Sequence, residues 1–373
     1  MPEKSNENII QEATKRPETE SGAGLEISPS PELTSVANSL NDIKQAVDHN
    51  QPVELSQLQK IQEAIKKITV NVGGEDIPIE ELKNIPDLKK NMEIWEEIRQ
   101  GNLENIRKMT HITPEIAEHL SHHQGALNLS SLIFLSDQTA EHLSHHQSTL
   151  SLNGLASLSD KAAEHLSYHQ GELILNGLTS LSDQAAEYLS RHQKVLSLKS
   201  LTSLSDKVAE HLSYHQGALH FNGLTSLSDK AAEHLSHHQG GLILSGLTSF
   251  SDQVAKHFSH HKDWLWLDGL ASLSDQAAEH LSHHQGELYL RNLISLSDQA
   301  AKHLSRHQGD LHLSGLTSLS DQAAEHLSNH KGYLALRRLE NISDKAAKHL
   351  ARHEGEVYIV DEVVKKKIER YKK

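Results

Sequence analysis

The chain has 373 residues, more than one compact core usually holds, so its length predicts several domains or a repeat array. Its formal net charge of −14 with neutral histidines disfavours a protein that coats duplex nucleic acid, because such proteins need a Lys/Arg face. The absence of cysteine excludes disulfides and thiolate metal sites.

The first 31 residues are rich in Glu, Ser, Asn, Pro and Gly and contain few large apolar side chains, a composition typical of disordered segments. They hold no apolar stretch of signal-peptide length, and no run of about 18 apolar residues occurs in the sequence. We therefore expect no membrane span, and a location that is cytoplasmic or reached by export without an ordinary secretory signal peptide.

Residues 32–105 show the periodicity of helices. Apolar residues recur at helical spacing in ELTSVANSLNDIKQAVDHN, in ELSQLQKIQEAIKKI and around NMEIWEEIRQ, and the breaker-like VGGEDIP stands between the second and third of these segments. The pattern predicts a small helical region that caps a repeat array.

A repeat of 23 residues occupies residues 106–361. The dipeptide Ser-Asp recurs at this period, and a degenerate copy with Pro114 at the same phase brings the number of repeats to eleven. The aspartates of the dipeptide are Asp137, Asp160, Asp183, Asp206, Asp229, Asp252, Asp275, Asp298, Asp321 and Asp344. A fixed period in this range is typical of a solenoid.

Each repeat reads as a short helix followed by a short strand. In one copy Ser159 is placed to cap the helix N-terminus, Asp160 favours its positive end, and Gly171 is placed to end it. The alternation in residues 172–176 predicts a strand with its leucines facing inward. Stacked copies predict an α/β solenoid with a parallel strand ladder roughly 50 Å long on one side and helices on the other. The basic residues 362–373 are expected to form a tail or a C-terminal cap.

The phrase L-x-L-x-x-L-x-x-L-S-D resembles the strand-plus-turn segment of the leucine-rich-repeat superfamily. The 23-residue period is similar to the cysteine-containing and treponemal-type bacterial subtypes. The resemblance covers residues 106–361 and implies a protein-interaction scaffold. Where the superfamily usually has Asn or Cys, this chain has Leu132, Leu155, Leu178 and their successors, so we expect no asparagine ladder.

Histidines fall into three columns of the repeat. The first column is unbroken, and its helical spacing predicts buried imidazoles that bond a loop carbonyl. It comprises His123, His146, His169, His192, His215, His238, His261, His284, His307, His330 and His353. The second column includes His142 and should flank the apolar stripe, while the third includes His145 and should face solvent. Metal binding by H-x-x-H-H remains an alternative, as does a response to pH, because buried neutral histidines predict instability in acid.

The strand face carries large, chemically mixed side chains from residue 264 onward. Aromatic and Arg side chains among charged neighbours are typical of protein-binding surfaces. The candidate protein-binding residues are Trp264, Trp266, Asp268, Glu287, Tyr289, Arg291, Asp310, His312, Tyr333, Arg337 and Tyr358. The alternatives are that these rings cover one another across adjacent strands, pack under the C-terminal tail, or stack on carbohydrate.

No phosphate-binding loop, H-E-x-x-H motif or nucleophile elbow occurs, so we expect neither catalysis nor a cofactor. The sequence favours a non-enzymatic protein-binding scaffold whose partner is a protein. An exported bacterial effector or surface adhesion protein is one alternative, and a His-rich metal- or pH-responsive module is another.

Overall fold

A computed structural model describes residues 69–72, 75–78, 94, 96–98 and 100–372. The chain divides into two compact units, Met1–Glu96 with Thr113–Ile116, and Glu97–Ile112 with Ala117–Lys373. The disorder predicted for the first 31 residues, and most of the predicted helical region, lie outside the described residues.

A two-stranded antiparallel sheet lies where the helical periodicity is interrupted. Strand β1 (Thr69–Val72) pairs with β2 (Glu75–Pro78). The strands follow the helical segment that ends at Ile68 and include most of the breaker-like VGGEDIP, for which the periodicity predicts no helix. Three of the four residues of β1 are β-branched and favour a strand.

Eleven parallel strands form the second sheet, one for each repeat. They are β3 (Leu127–Asn128), β4 (Leu150–Ser151), β5 (Leu173–Ile174), β6 (Leu196–Ser197), β7 (Leu219–His220), β8 (Leu242–Ile243), β9 (Leu265–Trp266), β10 (Leu288–Tyr289), β11 (Leu311–His312), β12 (Leu334–Ala335) and β13 (Val357–Tyr358). Each strand pairs with the strand of the next repeat in strict register, so Leu127 pairs with Leu150. The sheet runs in sequence order from β3 to β13, which confirms the predicted solenoid.

Within the described residues, ten short helices connect successive strands of this sheet, one precedes β3 and one follows β13. They are α1 (Pro114–Ser121), α2 (Asp137–Ser144), α3 (Asp160–Leu166), α4 (Asp183–Leu189), α5 (Asp206–Leu212), α6 (Asp229–Ser236), α7 (Asp252–Phe258), α8 (Asp275–Leu281), α9 (Asp298–Leu304), α10 (Asp321–Leu327), α11 (Asp344–Leu350) and α12 (Glu362–Glu369). A 3₁₀ turn at Ile106–Lys108 precedes them. Helices this short are unstable alone, so their apolar stripe must pack against the strands.

The core is a repeating set of leucines and alanines. In the repeat around α3, Leu150, Leu152, Leu155 and Leu166 are fully buried, and the adjacent alanines of the helix are buried with them. Burial of each leucine side chain contributes roughly 2 kcal/mol relative to exposure, so the stability of the array grows with each stacked repeat.

The predicted N-cap is confirmed, whereas the predicted role of Gly171 is wrong. Ser159 Oγ accepts a hydrogen bond from Ala162 N at 2.9 Å. Helix α3 ends at Leu166, well before Gly171, which does not adopt a positive φ. A Cβ atom at Gly171 would lie 2.0 Å from the carbonyl oxygen of Ser148, so glycine is required there because adjacent turns approach closely.

The N-cap serines also join neighbouring repeats. Ser159 Oγ donates to Asp137 Oδ1 of the preceding repeat at 2.6 Å, and Ser251 Oγ donates to Asp229 Oδ1 at 2.8 Å. The same bond joins Ser182 to Asp160, Ser228 to Asp206, Ser274 to Asp252, Ser297 to Asp275, Ser320 to Asp298 and Ser343 to Asp321. One serine therefore caps its own helix and bonds the helix before it.

A partial side-chain ladder corrects the expectation that none would be present. Asn153 Oδ1 accepts the backbone N–H of Asn176 at 3.1 Å, and Asn176 Oδ1 accepts that of Lys199 at 3.1 Å. Asp268 Oδ1 accepts the backbone N–H of Arg291 at 2.9 Å. The prediction considered only the position now held by leucine, while these side chains stand directly after the second strand leucine.

Helix α12 covers the C-terminal end of the array. Its Val364 and Ile368 are buried. Lys367 Nζ donates to the carbonyl oxygen of Ile342 at 2.8 Å and lies 3.0 Å from Asp344 Oδ1. The basic C-terminal segment is thus an ordered helix anchored to the last repeat.

Candidate functional site

The strand register aligns the candidate residues in rows. Trp266 pairs with Tyr289, Tyr289 with His312, and Ala335 with Tyr358. Each of these residues follows a strand residue that faces the core, so its own side chain projects from the opposite face of the sheet. We use the term aromatic strip for the rings of this face, which are Trp264, Trp266, Tyr289, His312, Tyr333 and Tyr358.

Neighbouring rings of the aromatic strip contact one another along the solenoid. The centroids of Trp266 and Tyr289 lie 4.8 Å apart, and those of Tyr289 and His312 lie 4.0 Å apart with the planes inclined by 8°. Tyr333 continues the row at 5.5 Å from His312 and 6.4 Å from Tyr358. The rings do cover one another across strands, as one alternative held, yet all six remain partly or fully exposed.

Two arginines lie against the aromatic strip. The guanidinium carbon of Arg291 lies 4.3 Å from the ring centroid of Trp266 and 4.5 Å from that of Tyr289. Its Nη1 lies 3.7 Å from Asp268 Oδ2. Arg337 stands 5.7 Å from the ring of Tyr358. These cation–π contacts fix Arg291 over the rings and leave its side chain 38% exposed.

Acidic residues line the other side of the aromatic strip. Tyr289 OH donates to Glu287 Oε2, and burial together with this carboxylate raises the pKa of Tyr289 to about 12. Asp310 Oδ1 accepts the backbone N–H of Tyr333 at 3.0 Å. Burial and then the charge of Arg291 lower the pKa of His312, so this imidazole is neutral at pH 7. Glu287 and Asp310 thus lie on the side of the strands opposite Arg291 and Arg337, while Asp268 lies on the arginine side and pairs with Arg291.

Trp264 depends on a glycine in the preceding repeat. A Cβ atom at Gly241 would lie 1.9 Å from Cε2 of the Trp264 indole, so the ring packs directly over the Gly241 backbone. Gly241, Trp264 and Glu287 occupy the same position in three successive repeats. The sequence placed Trp264 on the outer face but gave no indication of this packing, because the two residues are 23 positions apart.

The first five strands present a different face. Their middle positions are Asn128, Ser151, Ile174, Ser197 and His220. Ser151 and Ser197 are buried, and hydrogen bonds such as that of Ser197 Oγ to Asn176 Oδ1 at 2.7 Å occupy their hydroxyls. Large aromatic side chains are thus concentrated on strands β9 to β13.

A second row of rings runs through the interior of the solenoid. The imidazoles of the unbroken column stack in sequence from His123 to His353, with centroids 5.7 to 6.4 Å apart and planes inclined by at most 25°. We call this column the histidine ladder. All of its members except His123 are buried, which confirms the predicted burial.

The predicted bond to a loop carbonyl is present in only part of the histidine ladder. His192 Nε2 lies 2.9 Å from the Gly171 carbonyl oxygen, and His353 Nε2 lies 3.0 Å from that of Gly332. His215 and His261 make corresponding contacts through Nδ1 at 3.0 Å. Both ring nitrogens of six members form no hydrogen bond of ordinary geometry within the described residues. These members are His146, His169, His238, His284, His307 and His330.

Burial lowers the pKa values of the ten buried ladder histidines, which are all members except His123. The pKa of His215 falls to about 3 and that of His261 to about 3, chiefly because burial removes water and secondarily because neighbouring imidazoles repel a proton. Those of His169, His238 and His307 fall to about 4, again chiefly through burial. These buried members are therefore neutral at pH 7.

The other two histidine columns lie nearer the surface. His145, His237, His260 and His283 of the third column are exposed, as predicted, and so are Tyr168 and Tyr214 at 61% and 71%.

Within the described residues, no group of three or more His, Asp or Glu side chains is arranged to hold a metal ion. None of the described helices is both long and apolar enough to cross a membrane.

Comparison with solved structures finds similar chains at low sequence identity. An internalin from Listeria monocytogenes is 12% identical with a TM-score of 0.36, covering 77% of this chain and 94% of its own. A leucine-rich-repeat protein from Leptospira interrogans is 17% identical with a TM-score of 0.35, and the match covers 76% of this chain and 96% of that one. A chain of the Toll–Spatzle complex from Drosophila is 16% identical with a TM-score of 0.34, and the match covers 62% of this chain and 41% of that one.

No family model and no curated protein matches the chain. The fold assignment consequently rests on the strand ladder itself. Eleven parallel strands in a 23-residue register, each joined to the next by a short helix, form a β/α solenoid. The solenoid predicted from the repeat sequence is confirmed.

Proposed function

We propose that the chain is a non-enzymatic protein-binding scaffold whose binding surface is the aromatic strip together with Asp268, Glu287, Arg291, Asp310 and Arg337. The observation that carries the proposal is a set of rings and guanidinium groups left partly exposed on one face of a rigid ladder. No covering element of the described chain buries them, although burial would be favourable for such large apolar rings.

The composition of this surface fits a protein partner. Aromatic and Arg side chains are enriched where protein interfaces gain most of their binding energy, since each buries a large area with few rotatable bonds. Contacts between the rings restrict their rotamers before binding, so less side-chain entropy is lost on association. The carboxylates and arginines beside the rings would then select a complementary partner.

The test compares two double variants in capture of proteins from lysate of the source organism. Trp266→Ala with Tyr333→Ala removes two rings of the aromatic strip. Tyr168→Ala with Tyr214→Ala removes two exposed rings of the third histidine column and serves as the matched control. We expect the first variant to lose a specific protein that the wild type and the control retain, with all three folded by circular dichroism.

Direct affinity measurement with the identified protein completes the test. Removing two hot-spot rings is expected to weaken binding on the order of 100-fold or more, whereas the control changes it less than about threefold. Equal binding by all three proteins would show that the aromatic strip is not the binding surface.

A further inference from the structure

The histidine ladder is not explained by a binding role on the strand face. It lies in the interior, spans all eleven repeats, and its ring nitrogens are largely without hydrogen bonds of ordinary geometry. A buried polar ring with only weak contacts to backbone carbonyls costs free energy, and apolar side chains of similar size would fill the same space without that cost. The arrangement therefore suggests a property that only a titratable ring supplies.

Protonation is incompatible with this geometry. Each buried imidazole except the terminal His353 has another imidazole about 6 Å away on both sides, so successive positive charges would repel one another in an environment poor in water. His261 is 0% exposed, and its charged form could not be hydrated unless the turn around it opened. Protons would therefore enter only chains in which the stack has separated.

Few charged groups face the histidine ladder from the surrounding turns and termini. Asp263 favours the charged forms of His238 and His284, and Asp310 favours that of His330. Lys194 disfavours protonation of His192, and Lys372 disfavours that of His353. In every one of these cases burial is the larger effect, so the aspartates do not allow a charged ladder within the folded array.

We propose that the histidine ladder makes the solenoid acid-labile, so that mildly acidic solution opens the array cooperatively along the stack and disassembles the strand face. The folded form holds these rings neutral, while the opened chain binds protons at ordinary histidine affinity. Because the folded pKa values are lowered, the ladder's stabilising contribution is complete above about pH 6.5, the usual value, and is lost as the pH falls toward 4 to 3. This proposal does not depend on the identity of any partner.

Proton uptake on unfolding tests the proposal on the wild-type chain. Calorimetric unfolding in two buffers of different ionisation enthalpy gives the number of protons bound without assuming two states. At pH 5.5 an unfolded histidine is roughly nine-tenths protonated, while one with a pKa of 4 or below is nearly neutral. The five most shifted members should thus contribute more than about four protons at pH 5.5 and few at pH 7.5. The thermal midpoint should fall by roughly 10 °C or more.

Matched triple variants assign the protons to the ladder. His215→Gln, His238→Gln and His261→Gln replace buried members, while His237→Gln, His260→Gln and His283→Gln replace exposed histidines in the same part of the chain. The buried triple should lower the uptake by more than about two protons, and the exposed triple should leave it unchanged. If the buried triple variant does not fold, the number of protons that the wild-type chain binds on unfolding still tests the proposal. Uptake below about one proton, or equal reduction by both triples, would overturn the proposal.

Discussion

Two rows of stacked rings run along this solenoid, and the difference between them separates packing from recognition. The histidine ladder has the same residue in every repeat, and all of its rings except His123 are buried, with centroids 5.7 to 6.4 Å apart. The aromatic strip combines Trp, Tyr and His on five strands, and its rings are partly exposed with centroids 4.0 to 6.4 Å apart.

The same 23-residue register aligns both the histidine ladder and the aromatic strip, so the two rows differ in their surroundings. Inside, each ring must fit between turns whose backbones are in close contact, and a single residue type satisfies this requirement eleven times. Outside, nothing limits the size of the side chain except its neighbour, as Gly241 and Trp264 show. The comparison teaches that variation within a strict repeat marks the surface where binding can be specified.

The largest expected effect comes from placing a lysine in each row. His238→Lys puts an ammonium group where the side chain is 2% exposed, and it must either stay charged without hydration or lose its proton. We expect a loss of about 3–5 kcal/mol in the free energy of unfolding, measured by guanidinium denaturation. His312→Lys on the half-exposed strip should cost less than about 1 kcal/mol. Similar losses for the two variants would contradict the distinction between the rows.

A smaller effect is expected where the aromatic strip depends on packing. Gly241→Ala introduces a methyl group into the space of the Trp264 indole, so the ring must move away. Overpacking of this kind costs about 1–3 kcal/mol and should change the tryptophan fluorescence. Adding Trp264→Ala removes the clash, and the double variant should be more stable than the sum of the two single changes predicts. Strict additivity would show that the two residues are not coupled.

For the repeats, the sequence was sufficient to predict the fold because one period fixes the strand register, the helix stripe and the buried column together. It was insufficient for contacts between repeats. The bond from Ser159 to Asp137 and the packing of Trp264 on Gly241 join residues 22 or 23 positions apart, and their side-chain directions are fixed only once the repeats are stacked. Gly171 was misread because close backbone approach and a left-handed cap both require glycine, and sequence alone does not distinguish them.

The hydrogen bonds from N-cap serines to aspartates of the preceding repeat should stabilise the array less than the packing just described. Ser205 allows this bond to be measured separately, because it caps its helix without bonding Asp183. Ser228 caps α6 and also bonds Asp206, whereas Ser205 caps α5 and Asp183 of the preceding repeat instead pairs with Lys207 at 3.3 Å. Each serine-to-alanine change removes an N-cap worth about 1 kcal/mol. Ser228→Ala should cost roughly 0.5–1 kcal/mol more than Ser205→Ala in the free energy of unfolding. Equal costs would mean that the bond to aspartate does not stabilise the array.

The smallest expected effect concerns Arg291, which lies over two rings of the aromatic strip. Arg291→Lys keeps the charge but loses the planar group that stacks on Trp266 and Tyr289. We expect a loss of about 0.5–1 kcal/mol in the free energy of unfolding, while Arg306→Lys at an exposed site of the third histidine column has no measurable effect. A loss confined to Arg291 would mean that the strip is ordered by its own contacts before any partner binds. An unchanged stability would contradict that order and leave the guanidinium group as a contact available chiefly to a partner.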